Sequence, residues 1–261
     1  MYDFIGTNEK QGRARLPSES LIINGRPMEE LVQGFWTLSV TGRELRKRVI
    51  NATDIQGRDG SMYIDSTLEP RTLTVKYKLE TKSNREFRVR FNQLNAILQQ
   101  EQLNIRFLDE PEYSYIGTLS DIEDVSEGRN TIVSSFSFYC SDPYKYSDPM
   151  EIEGENKVTS LLETIYPTVP DSITVIPSKD TSTITLRTNG KEIKLVEGSF
   201  LSGKEVTITF GDEIAVTSAN GDALDKVALH SDLEEFYIRQ GVPVEFVEGG
   251  TIKMKVRRVM L

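Results

Sequence analysis

The chain has 261 residues, enough for two domains of ordinary size that each bury a core. Its formal charge is −9, and both halves are acidic, with 19 basic against 22 acidic residues before residue 149 and 12 against 18 after it. This balance argues against sequence-specific nucleic-acid binding. No run approaches the roughly 20 apolar residues of a membrane span, so we expect no membrane insertion.

The first forty residues contain two short strand candidates. Residues 1–20 are polar, and we expect them to be irregular or extended. A short strand and turn is predicted at 20–25, with Asn24-Gly25 as the turn dipeptide. Residues 35–40 form another strand candidate, which carries Trp36, the only tryptophan.

A basic run and a glycine-bearing segment follow. Arg43, Arg46, Lys47 and Arg48 lie within GRELRKR. Such a run is usually a solvated strand or loop edge, and a phosphate-contacting role is the alternative. Gln56 to Ser61, QGRDGS, has too few glycines and no following helix to be a phosphate-binding loop.

The period of the apolar pattern then changes from 2 to 3.6. Residues 73–80, LTVKYKLE, alternate cleanly, which predicts a half-buried strand. Ser83 followed by Glu86 is a capping-box pattern, and one apolar stripe then runs to residue 98. We therefore predict one substantial helix from about Ser83 to Gln100. The stripe consists of Phe87, Phe91, Leu94 and Leu98.

Three more strands complete the first half, at residues 103–108, 113–119 and 132–140. In the last of these, IVSSFSFYC, every second residue from Ile132 to Cys140 predicts an aromatic core face. The strand ends at Asp142-Pro143, because proline bars helix at the preceding residue and removes a ladder donor. Cys140 is the single cysteine, so an internal disulfide is excluded, and we expect a buried, inert thiol.

Turn signals dominate from about residue 150, as in an antiparallel sandwich. With Asn189-Gly190 as a two-residue turn, Leu186 falls opposite Ile193 and Arg187 opposite Glu192. Asn220-Gly221 suggests a second hairpin, whose flanks pair less cleanly. The chain ends on an alternating strand at 251–256.

Candidate catalytic residues are few, and we predict no catalytic, cofactor-binding or metal site. His230 is the only histidine, and no serine elbow accompanies it. Asp121, Glu123 and Asp124 could hold a glycosidase pair, although a solvent-facing cluster is the simpler interpretation. We therefore expect a protein that is not an enzyme and binds no cofactor. Three tyrosines, Tyr139, Tyr144 and Tyr146, suggest either a sugar-stacking platform or packing at a domain junction, of which the second is favoured.

The strand that closes on C-x-D-P-Y-K-Y, together with Gln56 to Ser61, resembles the distal tail proteins of long-tailed phages. The resemblance is strongest over residues 56–146 and includes RTLTVKYKLE and FLDEPEYSYIGTL. Residues 206–261 are similar to the end of that family's second domain. Arg239-Gln240-Gly241 departs from it, because a proline-glycine turn is common there.

The resemblance implies a mainly β protein of two domains. Residues 1–148 would be a β-sandwich or barrel-like domain with one inserted helix that forms a hexameric ring for DNA passage. Residues 149–261 would be a galectin-like sandwich. The implied role is a distal tail hub in the virion tail tip, assembled in the bacterial host cytoplasm. The implied partners are the tail tube protein, a tail-associated lysin and receptor-binding proteins. The alternative is a carbohydrate-binding module that attaches to host cell-wall polysaccharide.

Overall fold

The computed structural model describes residues 16–125, 130–166, 168–211 and 213–261, and in these ranges the chain is mainly β. Most of the segment expected to be irregular, residues 1–20, lies outside the described residues. The chain divides into two compact units between Pro143 and Tyr144, here called unit 1 and unit 2. No helix in the described ranges is long and apolar enough to cross a membrane.

The elements of unit 1 are β1 Leu21–Ile23, β2 Arg26–Pro27, α1 Met28–Leu31, β3 Phe35–Thr41, β4 Val49–Asp54, β5 Ser61–Thr67, β6 Arg71–Glu80, α2 Asn84–Leu98, β7 Leu103–Phe107, β8 Glu110–Ile122 and β9 Thr131–Cys140. Seven of the strands form an antiparallel sheet with the order β2-β1-β7-β8-β9-β6-β3. The other two, β4 and β5, form a separate two-stranded ribbon.

The alternating strands predicted from the sequence form the middle of this sheet. Strands β6 and β9 pair along their whole length, with Leu73 opposite Phe138 and Val75 opposite Phe136. Since directly opposite residues share a face, both apolar sets point to the same side. That side is the core of unit 1, as predicted, and Phe35 stacks there on Tyr77 with ring centroids 5.3 Å apart.

Strand β8 turns the sheet on itself. Its first part pairs with β7 and its last part with β9, and a register shift follows Leu119. Bulges of this kind let one strand pass between two layers of sheet. Packing is tight at the crossing, where a Cβ on Gly117 would lie 2.9 Å from the sulfur of Cys140. Both layers contribute to one core.

Helix α2 begins as its capping box predicts. The Ser83 hydroxyl accepts a hydrogen bond from the Glu86 amide at 3.2 Å, and the Glu86 carboxylate accepts one from the Lys82 amide at 3.1 Å. A serine N-cap of this kind stabilises a helix by about 1 kcal/mol. Phe87, Leu94 and Leu98 are buried against the sheet, which confirms the predicted apolar stripe.

Unit 2 contains two antiparallel sheets that share one core. The elements of unit 2 are β10 Lys145–Ser147, β11 Met150–Glu155, β12 Lys157–Thr159, β13 Ser172–Pro177, β14 Ile184–Thr188, β15 Lys191–Leu195, β16 Val206–Thr209, β17 Ala215–Ser218, β18 Gly221–Asp222, the 3₁₀ turn Leu224–Lys226, β19 Pro243–Phe246, β20 Gly250–Val256 and β21 Val259–Met260. The first sheet has the strand order β11-β20-β13-β16-β17-β18 and the second has the order β12-β19-β14-β15.

The β14–β15 hairpin has the register derived from its sequence, with Leu186 opposite Ile193 and Arg187 opposite Glu192. Asn189 and Gly190 both have positive φ, 51° and 75°, as a type I′ turn requires. The second predicted turn is displaced by one residue. Ser218 pairs with Gly221, so residues 219–220 form the turn and Gly221 begins β18.

Candidate functional site

The residues considered for catalysis are divided between the two units. His230 is exposed in a turn of unit 2, whereas Asp121 and Glu123 lie in unit 1. Within the described ranges no group of three or more histidine, cysteine or acidic side chains could hold a metal ion. Near His230, the Asp232 carboxylate accepts a hydrogen bond from the Glu192 amide at 3.0 Å, which together with Lys191 lowers the pKa of Asp232.

Cys140 is fully buried in the core of unit 1, as its place on the apolar face predicts. Burial raises the pKa of this thiol from 9.0 to about 11, although the nearby Arg71 acts in the opposite direction. Since the thiolate is the nucleophile, a thiol protonated at neutral pH and shielded from solvent is unreactive. Cys140 therefore acts as a core residue.

The stability of unit 1 should fall above pH 9. Because the pKa of Cys140 is higher in the folded chain, the protonated thiol's contribution is fully present below pH 9 and is lost as the pH rises towards 11. A shift of about two units corresponds to a loss of about 1–3 kcal/mol. Urea unfolding at pH 8 and pH 10, followed by Trp36 fluorescence, measures this loss. The pH dependence should be weaker in Cys140→Ala, and part of it should remain because burial also raises the pKa of Tyr77 and Tyr115.

The ribbon of β4, β5 and their connection, residues 49–67, is here called the arm. Its two strands pair with each other and with no other strand of the described chain. Nevertheless the arm carries large apolar side chains, and Ile50, Tyr63 and Ile64 each expose 58 to 66 % of their surface. Tyr63 lies opposite Ala52, and Ile64 is the extra residue of a β-bulge.

The arm was not predicted from the sequence. Its strands have no buried face, so they lack the alternation that reveals a strand. The segment Gln56 to Ser61, quoted above for the family resemblance, forms most of the arm's tip and the first residue of β5. Gly57 and Gly60 have positive φ there, 80° and 78°.

The basic run at the base of the arm is largely held by contacts within unit 1. Arg43 pairs with Asp109 at 3.0 Å and lies over the ring of Phe107, 4.6 Å from its centroid. Arg46 donates to the carbonyl oxygens of residues 69 and 70 at 2.9 and 2.7 Å. Arg48 donates to the Ser66 carbonyl at 3.2 Å, so the run mainly anchors the arm.

An apolar groove runs between helix α2 and the sheet of unit 1. Its volume is about 470 Å³. Phe87 and Phe91 stack along its helix side with ring centroids 5.7 Å apart. Leu119 and Ile122 of β8 line the opposite side, and Ile122 is 64 % exposed. Charged side chains at the groove are Arg88, Glu123 and Asp124.

A second feature missed from the sequence is Arg71, which begins β6 and is fully buried. Its guanidinium donates to the Gly42 carbonyl at 2.8 Å and to the Pro143 carbonyl at 3.0 Å, and it lies over the ring of Tyr115. Burial lowers the pKa of Arg71 from its ordinary value. The alternation of β6 could have revealed this burial, because Arg71 lies two residues before Leu73 and therefore shares its inward face.

The three tyrosines differ in exposure. Tyr139 is 48 % exposed on β9 of unit 1. In unit 2, Tyr144 packs against Tyr166 with ring centroids 5.3 Å apart, and both Tyr144 and Tyr146 are half-buried.

Comparisons with known proteins identify the fold. Residues 31–140 match the family model of the phage tail protein RIFT-related domain. No curated protein matches the sequence. The Dit protein of phage SPP1, described as a paradigm of the hub adsorption apparatus of phages that infect Gram-positive bacteria, has the same fold. It is 20 % identical, with a TM-score of 0.75, and the match covers 93 % of this chain and 99 % of that one.

Two structures of the phage p2 baseplate in its activated conformation also match. The strontium-bound structure has a TM-score of 0.52 and the calcium-bound structure 0.51, each at 11 % identity. Both matches cover 86 % of this chain and 90 % of the other.

Proposed function

We propose that the protein is a structural subunit of a phage virion that acts as the hub at the distal end of the tail, because residues 31–140 match the family model of the phage tail protein RIFT-related domain. The observation that carries this proposal is the correspondence of the whole chain with a hub protein. The match spans both units and leaves almost none of that protein uncovered. The protein is then a component of the virion tail tip, assembled in the bacterial host cytoplasm.

The hub is proposed to be a ring of six copies formed by unit 1. Six copies are what the family resemblance implies, and unit 1 contains the matched domain. Ring closure requires a heterologous contact, in which two different patches of each subunit meet. The tail DNA passes through such a ring, and an acidic protein suits this passage because like charge prevents retention of phosphates.

Unit 2 is proposed to be the galectin-like domain that projects from the ring. Support comes from its two sheets with a common core and from the turn at Arg239-Gln240-Gly241. The Val242 amide donates to the Arg239 carbonyl at 3.1 Å, and Gly241 has φ 75°. Glycine at the third position is what a type II turn requires. The turn is therefore retained although glutamine stands where the family commonly has proline.

The proposed partners are proteins of the tail: the tube protein on one side of the ring, and a tail-associated lysin and receptor-binding proteins on the other. The protein itself is then an adaptor and not a catalyst. This follows from the structural role of the matched family. Attachment to host polysaccharide through unit 2 is the competing role, and a glycan array followed by calorimetry on the full chain separates the two. Saturable sugar binding tighter than about 1 mM would favour the competing role.

Electron microscopy of the parent virion, or of the protein mixed with its tail-tube neighbour, tests the hub assignment. We expect sixfold density at the distal end of the tube, with unit 1 lining the channel. Density elsewhere on the particle, or a stable twofold dimer in place of a ring, would refute the assignment.

A further inference from the structure

We propose that the free edge of β11 in unit 2 is a strand-addition site for an extended polypeptide segment that carries lysine or arginine at alternate positions. Strand β11, Met150–Glu155, stands at the end of its sheet and pairs on one side only, with β20. In strand addition, a partner strand pairs with such an edge through its backbone, and its side chains decide specificity. The backbone and the two rows of side chains of β11 each restrict what the partner can be.

The backbone of β11 offers unpaired groups at this edge. The Asn156 amide, directly after the strand, donates to the Gly250 carbonyl of β20 at 2.7 Å. Alternate residues of an antiparallel strand direct their amide and carbonyl to opposite sides, so every second residue back from Asn156 faces β20. The amides and carbonyls of Glu151, Glu153 and Glu155 therefore face the free edge, where no backbone partner occurs among the described residues.

Two other strand edges are covered by the chain itself. At the outer edge of β3, the Thr37 amide donates to the Glu29 carboxylate at 2.9 Å and the Val40 amide donates to the Glu19 carboxylate at 3.1 Å. The segment 226–232 covers the edge of β15 with both side-chain and backbone groups. Proteins cover strand edges because open ones pair with other chains. Strand β11 is the longest edge left without such cover among the described strands of unit 2.

The inner row of β11 suits apolar side chains on the partner. Met150 is 47 % exposed, and Ile152 packs against the core while it remains partly open to solvent. Both lie on the same face of the strand, because they are two residues apart. Apolar side chains at alternate positions of an added strand would cover this surface and remove it from water. The edge is about 20 Å long, which matches a partner strand of about six residues.

The outer row of β11 is acidic and suits basic side chains on the partner. Glu151 and Glu153 are exposed, and neither forms an ion pair in the described part of the chain. Their neighbours on β20 are Lys255 and Lys253, so a basic side chain on the added strand would continue an alternation of charge across the sheet. A second β11 strand would instead place glutamate beside glutamate. This repulsion disfavours another copy of the chain as the occupant.

Peptide binding to the full chain tests this proposal. The probe is a capped heptapeptide, KVKTKVK, and the control peptide has the same composition with its lysines grouped together. We expect calorimetry to show a Kd below about 1 mM for the probe and at least tenfold weaker binding of the control. Amide hydrogen exchange at Glu151 and Glu153 should slow when the probe is bound, because these amides then donate to its backbone.

Variants of the edge separate strand addition from general attraction between a basic peptide and an acidic protein. Glu151→Lys with Glu153→Lys should weaken binding of the probe at least tenfold and create binding of an acidic counterpart, EVETEVE. Glu205→Lys with Glu234→Lys makes the same change of charge at two exposed glutamates elsewhere in unit 2 and should do neither. Glu153→Pro removes one edge donor without removing a ladder hydrogen bond, and it should also weaken binding of the probe.

Several results would overturn the proposal. It is wrong if the probe does not bind at about 1 mM, if both peptides bind equally, or if either edge variant keeps the full affinity. Slow exchange at Glu151 and Glu153 in the free chain would show that the edge is already covered, by another part of the chain or by a second copy. That result would also overturn it. None of these results bears on the hub assignment, which electron microscopy tests separately.

Discussion

Replacing Phe138 with alanine is expected to lower the free energy of unfolding of unit 1 by about 3–5 kcal/mol and to leave unit 2 unchanged. The Phe138 side chain is fully buried on β9, where it lies opposite Leu73 and packs edge-on against Phe136 with ring centroids 5.4 Å apart. A domain of this size is stable by only about 5–15 kcal/mol, so unit 1 loses a large part of its stability. Trp36 lies on β3 of unit 1 and is the only tryptophan, so its fluorescence reports on that unit alone.

The matched control is Phe246→Ala, which removes a buried phenylalanine from β19 of unit 2. In this variant the Trp36 transition in urea should stay in place, while far-UV circular dichroism shows an earlier transition of the other unit. Leu229→Ala, at a fully exposed position, should alter neither transition. If either core variant moved both transitions equally, the two units would unfold together and the prediction of independent domains would be wrong.

Much of the fold could be predicted because it follows from burial on one face. Strands β6 and β9 and helix α2 present an apolar set at a period of 2 or 3.6, and the structure buries those sets. The β14–β15 hairpin could be predicted residue by residue, because the turn Asn189-Gly190 fixes the register. The Ala219-Asn220 turn was missed by one position, since its flanking strands are short and offer few pairs to fix it.

The arm and the groove could not be predicted in the same way. The arm has no buried face, so nothing in its sequence distinguishes its strands from an exposed loop. The groove depends on the spacing between α2 and the sheet, which no local pattern encodes. The burial of Arg71 could have been predicted, because this residue lies on the same face of β6 as Leu73. A charged residue at the start of a strand usually faces solvent, however, so the sequence favoured the opposite interpretation.

Replacing Arg71 with alanine is the second change for which we expect a large loss, about 3–4 kcal/mol from the free energy of unfolding of unit 1. The substitution removes two charge-assisted hydrogen bonds, to the carbonyls of Gly42 and Pro143, and leaves a void beside Tyr115. Each such bond contributes about 1.5–3 kcal/mol. Relief of the buried charge offsets part of the loss, because no ion pair of Arg71 with a carboxylate occurs among the described residues.

Two further substitutions at Arg71 separate these effects. Arg71→Met refills the void without the hydrogen bonds, so we expect a smaller loss, about 1–2 kcal/mol, in urea unfolding followed by Trp36 fluorescence. Arg71→Lys keeps the charge, but a single ammonium replaces the planar fork, so it cannot reproduce both contacts, and we expect it to be less stable than Arg71→Met. A methionine variant as stable as the native chain would show that the cost of burying the guanidinium cancels its hydrogen bonds. In that case Arg71 would hold the start of β6 against Gly42 and Pro143 without adding to the stability of unit 1.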